Sequence, residues 1–202
     1  HNHSAFLLRF KDETILFDCG EGTQRQFRHA EISPMKITRI FISHWHGDHI
    51  LGLPGLIQTL SFNNYNKKLE IYGPTGTKQF FSRLFETFFF IGKIDLKINE
   101  ISSGIIFENS DFSIVAEKTS HGIDSLAYSF IEKDKVRIDK QKLKKLKLPN
   151  SPLLKQLQQG KDITIDGKSI KAKSLTYTQK GRKITFISDT KLNDNLFKFT
   201  SV

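Results

Sequence analysis

Ser43-His44-Trp45-His46-Gly47-Asp48-His49 follows directly on the apolar run Ile40-Phe41-Ile42, and this junction decides how the rest of the chain is read. Within it, His44, His46, Asp48 and His49 place four potential metal ligands inside six residues. A helix would scatter such side chains around its axis, whereas a loop at a strand end lets them converge. His44 and His46 alternate with Trp45, so a locally extended backbone points both imidazoles the same way. Asp48 and His49 then belong to the following turn and aim at a neighbouring position. Neutral imidazoles and carboxylate oxygens suit Zn(II), with Fe(II) and Mn(II) also chemically admissible. Two ligand pairs in one loop suggest two metals.

Four residues cannot fill two coordination spheres and leave room for a substrate, so further ligands must come from distant strand ends. The chain has seven histidines, and outside the loop only His1, His3, His29 and His121 remain. His121, in Thr119-Ser120-His121-Gly122, follows an expected strand, and Asp189, in Ser188-Asp189-Thr190, ends another. A carboxylate at Asp189 could bridge two cations, although either residue taken alone could equally be structural. Asp18 ends the apolar run Leu16-Phe17, where it could orient a ligand histidine or cap the following helix. Its neighbour Cys19 reads as buried, inert packing rather than as a ligand.

Working outward, 5–10 and 13–19 read as strands joined by a turn at Lys11-Asp12, 21–30 as a short helix, and 37–43 as a strand. Residues 51–60 carry a helical period with Pro54 in the first turn. A strand at 69–72 leads through Gly73-Pro74 to Phe80, Phe81, Leu84, Phe85, Phe88 and Phe89 at helical spacing, a stripe expected to pack against a sheet. Strands are expected at 96–101, 112–117 and 126–131, a hairpin turn at Asp166-Gly167, and a last buried strand at 183–188. This alternation predicts a layered α/β fold.

The chain of 202 residues, 38% hydrophobic and with 18 Phe, fits one large domain with ample apolar material. A single cysteine precludes an intrachain disulfide and suits a reducing cytosol. No run approaches the roughly 18 apolar residues of a membrane span, and no signal-peptide pattern opens the chain, so a soluble, cytoplasmic protein is expected. The net charge of +10 is uneven: Lys133 to Lys147 holds eight Lys or Arg against two Asp. From Lys133 to about Gly160 the strand pattern lapses into lysines and sparse leucines, which reads as an inserted arm. A polyanion is the natural partner of such a segment, and a solvated surface face is the plainer alternative.

Together, Phe17-Asp18-Cys19-Gly20-Glu21-Gly22-Thr23-Gln24, Phe41-Ile42-Ser43-His44, His46-Gly47-Asp48-His49 and Gly52-Leu53-Pro54-Gly55-Leu56 resemble ribonuclease Z, the tRNA 3′-end endonuclease of the metallo-β-lactamase superfamily. The stretch from Asn2 to Leu8 and Tyr72-Gly73-Pro74 agree with it. The resemblance implies an αββα sandwich of two mixed β-sheets flanked by helices, occupying 1–202 with a protruding basic arm at about 133–161. It implies that His44, His46 and His121 hold one zinc, that Asp48 and His49 hold another, that Asp189 bridges them, and that Asp48 also accepts a proton. Two zinc ions per complete subunit would activate a hydroxide against a precursor-tRNA phosphodiester, leaving a tRNA 3′-hydroxyl and a trailer 5′-phosphate.

The arm corresponds in position to a family exosite, where Lys140, Lys142, Lys144, Lys145 and Lys147 would grip tRNA phosphates; the usual Gly-Pro stands here as Ser151-Pro152. A homodimer is implied, with no membrane and no organic cofactor. The family pattern also has a strand before His1 and, beyond Asp189, further histidines including a last ligand. On that expectation the polypeptide is incomplete at both ends, holds one zinc firmly and the second poorly, and cuts weakly. The rival readings are another hydrolase of the superfamily, acting on a small phosphodiester, sulfate ester or lactone, and a catalytically silent RNA-binding module.

Overall fold

The computed structural model describes residues 2–89, 94–146, 151–165, 167–192 and 194–201. It divides into two compact units, one formed by His1–Glu108, Ile114–Phe130 and Ile184–Val202, the other by Asn109–Ser113 and Ile131–Lys183.

The first unit is built on a five-stranded sheet of β1 (Phe6–Phe10), β2 (Glu13–Phe17), β3 (Arg39–Phe41), β4 (Lys68–Gly73) and β5 (Asp95–Glu100), in that spatial order. The β1–β2 pair is an antiparallel hairpin, and β2 to β5 run parallel. Parallel neighbours need crossovers, which are supplied by α1 (Thr23–His29), by α2 (Gly47–Ile50) with α3 (Leu53–Phe62), and by α4 (Thr77–Glu86).

The two-residue period of the strands separates the faces of this sheet. Leu16, Ile40 and Ile71 are register partners and join a core with Leu53, Leu56, Ile57 and Leu60 of α3. One residue further along, Phe17, Phe41 and Tyr72 are partners in turn, with Phe17 stacked on Phe41 at 5.5 Å and Phe41 on Tyr72 at 4.8 Å. This aromatic row meets Tyr128 and Phe186, which belong to a second, four-stranded sheet. That sheet has the order Lys183–Phe186, β8 (Leu126–Glu132), β7 (Phe112–Lys118) and β6 (Gly104–Glu108). Helices, a mixed sheet and a second sheet are therefore layered as expected.

Two expectations need correction. The phenylalanine stripe packs only in part: Phe81 is buried, and Leu84 and Phe85 line the core, but Phe88 is 45% and Phe89 98% exposed. The helix ends at Glu86, so the helical period that would have brought Phe88 and Phe89 round to the sheet no longer applies there. The sequence predicts no element between 101 and 112, where β6 forms on Gly104–Glu108.

The second unit also departs from the expectation of a patternless arm at 133–161. It pairs β9 (Lys135–Ile138) antiparallel with β12 (Thr176–Gln179) and adds a hairpin of β10 (Ile163–Ile165) and β11 (Lys168–Ile170). Gly167 has φ 74 in the expected hairpin turn, and Asp166 lies outside the described residues. Three helices complete it, α5 (Lys140–Lys145), α6 (Leu154–Gln158) and α7 (Ala172–Leu175). Leu154, Leu157, Ile163, Ala172 and Leu175 form its own small core. The strand was hidden because Val136 and Ile138 alternate with basic residues and find their partners near residue 177, far along the chain.

Tyr128 is fully buried, and its hydroxyl donates to the Ile42 carbonyl at 2.6 Å, fastening the second sheet beneath the ligand loop. Tyr128→Phe removes that buried bond and is expected to cost about 1–3 kcal/mol, read as a lower denaturant midpoint at unchanged slope.

Candidate metal centre

The parallel register of β2, β3 and β4 brings their carboxyl ends together, the edge at which open α/β sheets place ligand sites. Asp18 N donates to Phe41 O at 2.8 Å and Ile42 N to Tyr72 O at 2.8 Å, so the ladder persists up to the loop. There the backbone stays extended through His46 (φ −76, ψ 149), which caps α2, and α2 carries Asp48 and His49.

Close packing fixes the turn against Asp18-Cys19-Gly20. Cys19 N donates to His49 O at 2.8 Å, and Gly52 N to Cys19 O at 2.8 Å. A Cβ on Gly20 would lie 2.2 Å from Asp48 O, and one on Gly52 2.3 Å from Gly20 O, so both positions need glycine. Cys19 is buried, and burial pushes its thiol up to about 12, which leaves it inert as packing.

His44 Nε2 and His121 Nε2 each lie 3.1 Å from His46 Nδ1. A single ring nitrogen offers one proton or one lone pair, so hydrogen bonding cannot account for both approaches. A cation can: nitrogens held tetrahedrally at zinc distances are about 3.3 Å apart. Beside this triad, His49 Nε2 is 3.3 Å from Asp48 Oδ2 and 3.6 Å from Asp189 Oδ2, which in turn is 4.0 Å from His44 Nε2. Two donor triads result, His44–His46–His121 and His44–His49–Asp189. Asp189 belongs to the second triad and meets the first only through the shared His44, while Asp48 belongs to neither and approaches the second through His49. Of the residues expected at the centre, His44, His46, His121, His49 and Asp189 fall within these triads and Asp48 does not; imidazole and carboxylate donors suit zinc.

Asp18 settles the choice between orienting and capping. It is fully buried with φ 56, and the cap position of α1 is Gly22 with no side-chain bond. Its carboxylate instead accepts from Ser43 N at 2.7 Å, Ser43 Oγ at 2.9 Å, Ser4 Oγ at 3.1 Å and His49 Nδ1 at 2.7 Å. Because the carboxylate only accepts, the Ser43 hydroxyl donates to it and can itself accept from His44 Nδ1 at 3.0 Å. Both Nδ1 atoms then hold their protons, which leaves the Nε2 lone pairs of His44 and His49 facing the centre.

Two further supports had no sequence signal beyond adjacency. One is Ser43. The other is Thr190, whose Oγ1 accepts from Ser120 N at 3.1 Å and joins the loops that carry His121 and Asp189.

Burial pushes the His44 imidazole down to about 4, reinforced by neighbouring imidazoles. Burial also opposes the charge on His49, but the Asp18 hydrogen bond and the charges of Asp18, Asp48 and Asp189 outweigh it and raise that imidazole overall.

In the second unit, Lys140, Lys142, Lys144 and Lys145 are exposed on α5, whose start is capped by Asp139 accepting from Gln141 N and Lys142 N. Lys147 lies outside the described residues.

Comparison with known proteins agrees with this geometry. The metallo-β-lactamase fold protein YhfI from Bacillus subtilis superposes with TM-score 0.52 at 23% identity, covering 64% of this chain and 50% of that one. Fold and site together define a metallo-β-lactamase-fold protein. Residues 1–139 match the family model described as Anti-Pycsar protein Apyc1, and the chain belongs to that family. It is 42% identical to Ribonuclease Z of Nanoarchaeum equitans over 195 residues, 96% of this chain and 61% of the relative. Human tRNase Z, short form, superposes with TM-score 0.55 at 34% identity, covering 65% of this chain and 57% of that one. The chain spans less than two thirds of the length of the curated relatives it matches. The resemblance to ribonuclease Z read from the motifs therefore holds along nearly the whole chain.

Asp18→Asn keeps the size of the side chain but removes its charge and its acceptor for the His49 proton. Zinc affinity is expected to fall about 10- to 100-fold in chelator competition. In metal-free protein followed by imidazole NMR, His49 should titrate above an ordinary histidine, and the substitution should bring it down, because Asp18 favours the protonated ring.

Proposed function

We propose that the protein is a zinc-dependent endoribonuclease that removes the 3′ trailer from precursor tRNA. The observation that carries this reading is the double donor cluster at the strand ends, in a chain whose relatives are named Ribonuclease Z. His44, His46 and His121 would hold one zinc and Asp48 with His49 a second, with Asp189 shared between them. When bound, the zinc ions supply Lewis acidity to the phosphodiester oxygens and acidify water within their reach.

The chain's own groups do the rest. Asp48 is about half exposed, so its carboxylate can take up the proton of the attacking water. Asp18, through Ser43 and His49, keeps the ligand rings in one tautomer throughout. Breaking the bond between phosphorus and the 3′ oxygen of the tRNA leaves a 3′-hydroxyl on the tRNA and a 5′-phosphate on the trailer.

The exposed lysines of α5 would hold tRNA phosphates without reading sequence, with Lys147 completing the set. We further propose a homodimeric, cytoplasmic protein, in keeping with the single, buried cysteine. Among the described residues, no helix is long and apolar enough to cross a membrane.

A second reading, a hydrolase of a small phosphodiester at the same centre, uses the same donor cluster and has no need of the exposed lysines. Zinc-loaded protein expressed from the complete reading frame is expected to cut 3′-extended precursor tRNA, and Asp48→Ala in it to slow cutting about 100-fold or more. Undiminished cutting by that variant removes the assigned role of Asp48. Replacing Lys140, Lys142, Lys144 and Lys145 together by alanine should reduce tRNA cleavage and flatten its salt dependence. Loss on tRNA with retained hydrolysis of a small chromogenic phosphodiester supports the tRNA reading, and no loss on either substrate would favour the second.

A further inference from the structure

A cavity of about 700 Å³ opens beside the metal centre, with His46 in its wall. Its other walls come from the segments after β3 and β4, from α4, and from the loop that follows His121. Trp45 and Phe80 form one side, with ring centroids 5.6 Å apart, and Ile50, Pro74, Leu84 and Ile123 add apolar surface. The indole is held in place: Nε1 donates to Thr77 Oγ1 at 2.9 Å, and the Thr77 hydroxyl donates onward to Pro74 O at 2.6 Å. The polar edge of Trp45 is thus satisfied within the protein, which leaves the cavity the apolar face of a fixed ring. Phe80 is held as well, lying so close over Gly76 that a Cβ there would meet its ring at 2.8 Å.

Two charges at this cavity are uncommitted. Arg83 and Asp124 both line it, and neither makes an ion pair or hydrogen bond among the described residues. An aromatic platform with a cation and a carboxylate beside it matches one chemical group in particular. Flat heterocycles stack on indole and phenyl faces, a guanidinium pairs with a phosphate, and a carboxylate accepts from an exocyclic amine.

We infer that this cavity receives the nucleobase of a nucleotide adjoining the scissile phosphate, stacked against Trp45 and Phe80, with Arg83 at the flanking phosphate. The inference rests on the RNA-cutting reading, since His46 belongs both to the cavity wall and to the donor cluster where that phosphate would lie. It adds a subsite that reads the substrate as a base, whereas the exposed lysines meet only its backbone.

Trp45 is the chain's single tryptophan, so its fluorescence reports the cavity directly. Zinc-loaded protein is titrated with AMP and, in parallel, with ribose 5-phosphate, which carries the same phosphate without the base. AMP should quench saturably and ribose 5-phosphate should not. Phe80→Leu keeps the apolar bulk but removes the ring face, and should weaken AMP binding about fivefold or more, the loss expected when one stacking partner goes. Arg83→Gln should weaken it too.

Equal quenching by the two ligands, no saturable quenching by AMP, or unchanged AMP affinity in Phe80→Leu would each overturn the inference. Precursor-tRNA cleavage measured on the same preparation separates the two ideas. Cutting without base-dependent quenching sinks the subsite alone, and base-dependent quenching without cutting sinks the tRNA reading while the subsite stands.

Discussion

A carboxylate sealed from water at the end of β2 holds the centre together. Burying a charge costs several kcal/mol unless hydrogen bonds replace its hydration, and Asp18 receives such bonds from Ser43 twice, from Ser4 and from His49. Those donors belong to the N-terminal segment, the end of β3 and α2, so satisfying one side chain fixes three pieces of backbone in register. The same bonds decide which nitrogen of His44 and of His49 is bare. Stability and ligand geometry are therefore set by one group, and the left-handed backbone at Asp18 (φ 56) is a local strain tolerated for that arrangement.

The sheet explains why such a group can reach its partners. With β2, β3 and β4 parallel and in step, residues just past their ends are neighbours although 25 to 31 positions separate them in sequence. The aromatic row Phe17–Phe41–Tyr72 packs against Tyr128, whose hydroxyl reaches Ile42, one residue before Ser43. The second sheet thus braces the ligand loop from below. Leu126 N donates to Ser43 O at 2.9 Å, and Lys191 N to Ser120 O at 2.8 Å, which extends the bracing to the loops that carry His121 and Asp189.

What could be read from the sequence follows from how local each signal is. The ligand loop was legible because its chemistry and its strand are contiguous, and His121 and Asp189 drew notice because each stands just past an expected strand. The choice between capping and orienting at Asp18 could not be made from sequence: both place a carboxylate after a strand, and only the tertiary position of His49 separates them. Ser43 and Thr190 were missed for the same reason, since a serine or threonine beside a ligand is unremarkable until its hydroxyl has a direction. In the basic segment, Asp139 caps a helix of lysines that alone reads as solvated coil, and β9 depends on a partner strand 40 residues away. The phenylalanine stripe misled in the opposite sense. Its spacing continues to Phe89, but spacing cannot announce that the helix stops at Glu86.

The extended backbone at the ligand loop has a consequence for its odd member as well. Alternation turns His44 and His46 toward the centre and sends the residue between them the other way, so the side chain at position 45 must line whatever space lies beyond the ligands. A small residue there would leave that space without a wall. Tryptophan fills it with a large ring whose one polar atom is tied back to Thr77, and α4 sets Phe80 beside it. A single local conformation therefore does two things: it aligns imidazole lone pairs on one side and presents an aromatic face on the other. Any shift in the loop that disturbed the clustered imidazoles would tilt that face, so the donor geometry and the shape of the adjoining cavity are mechanically one feature of the fold.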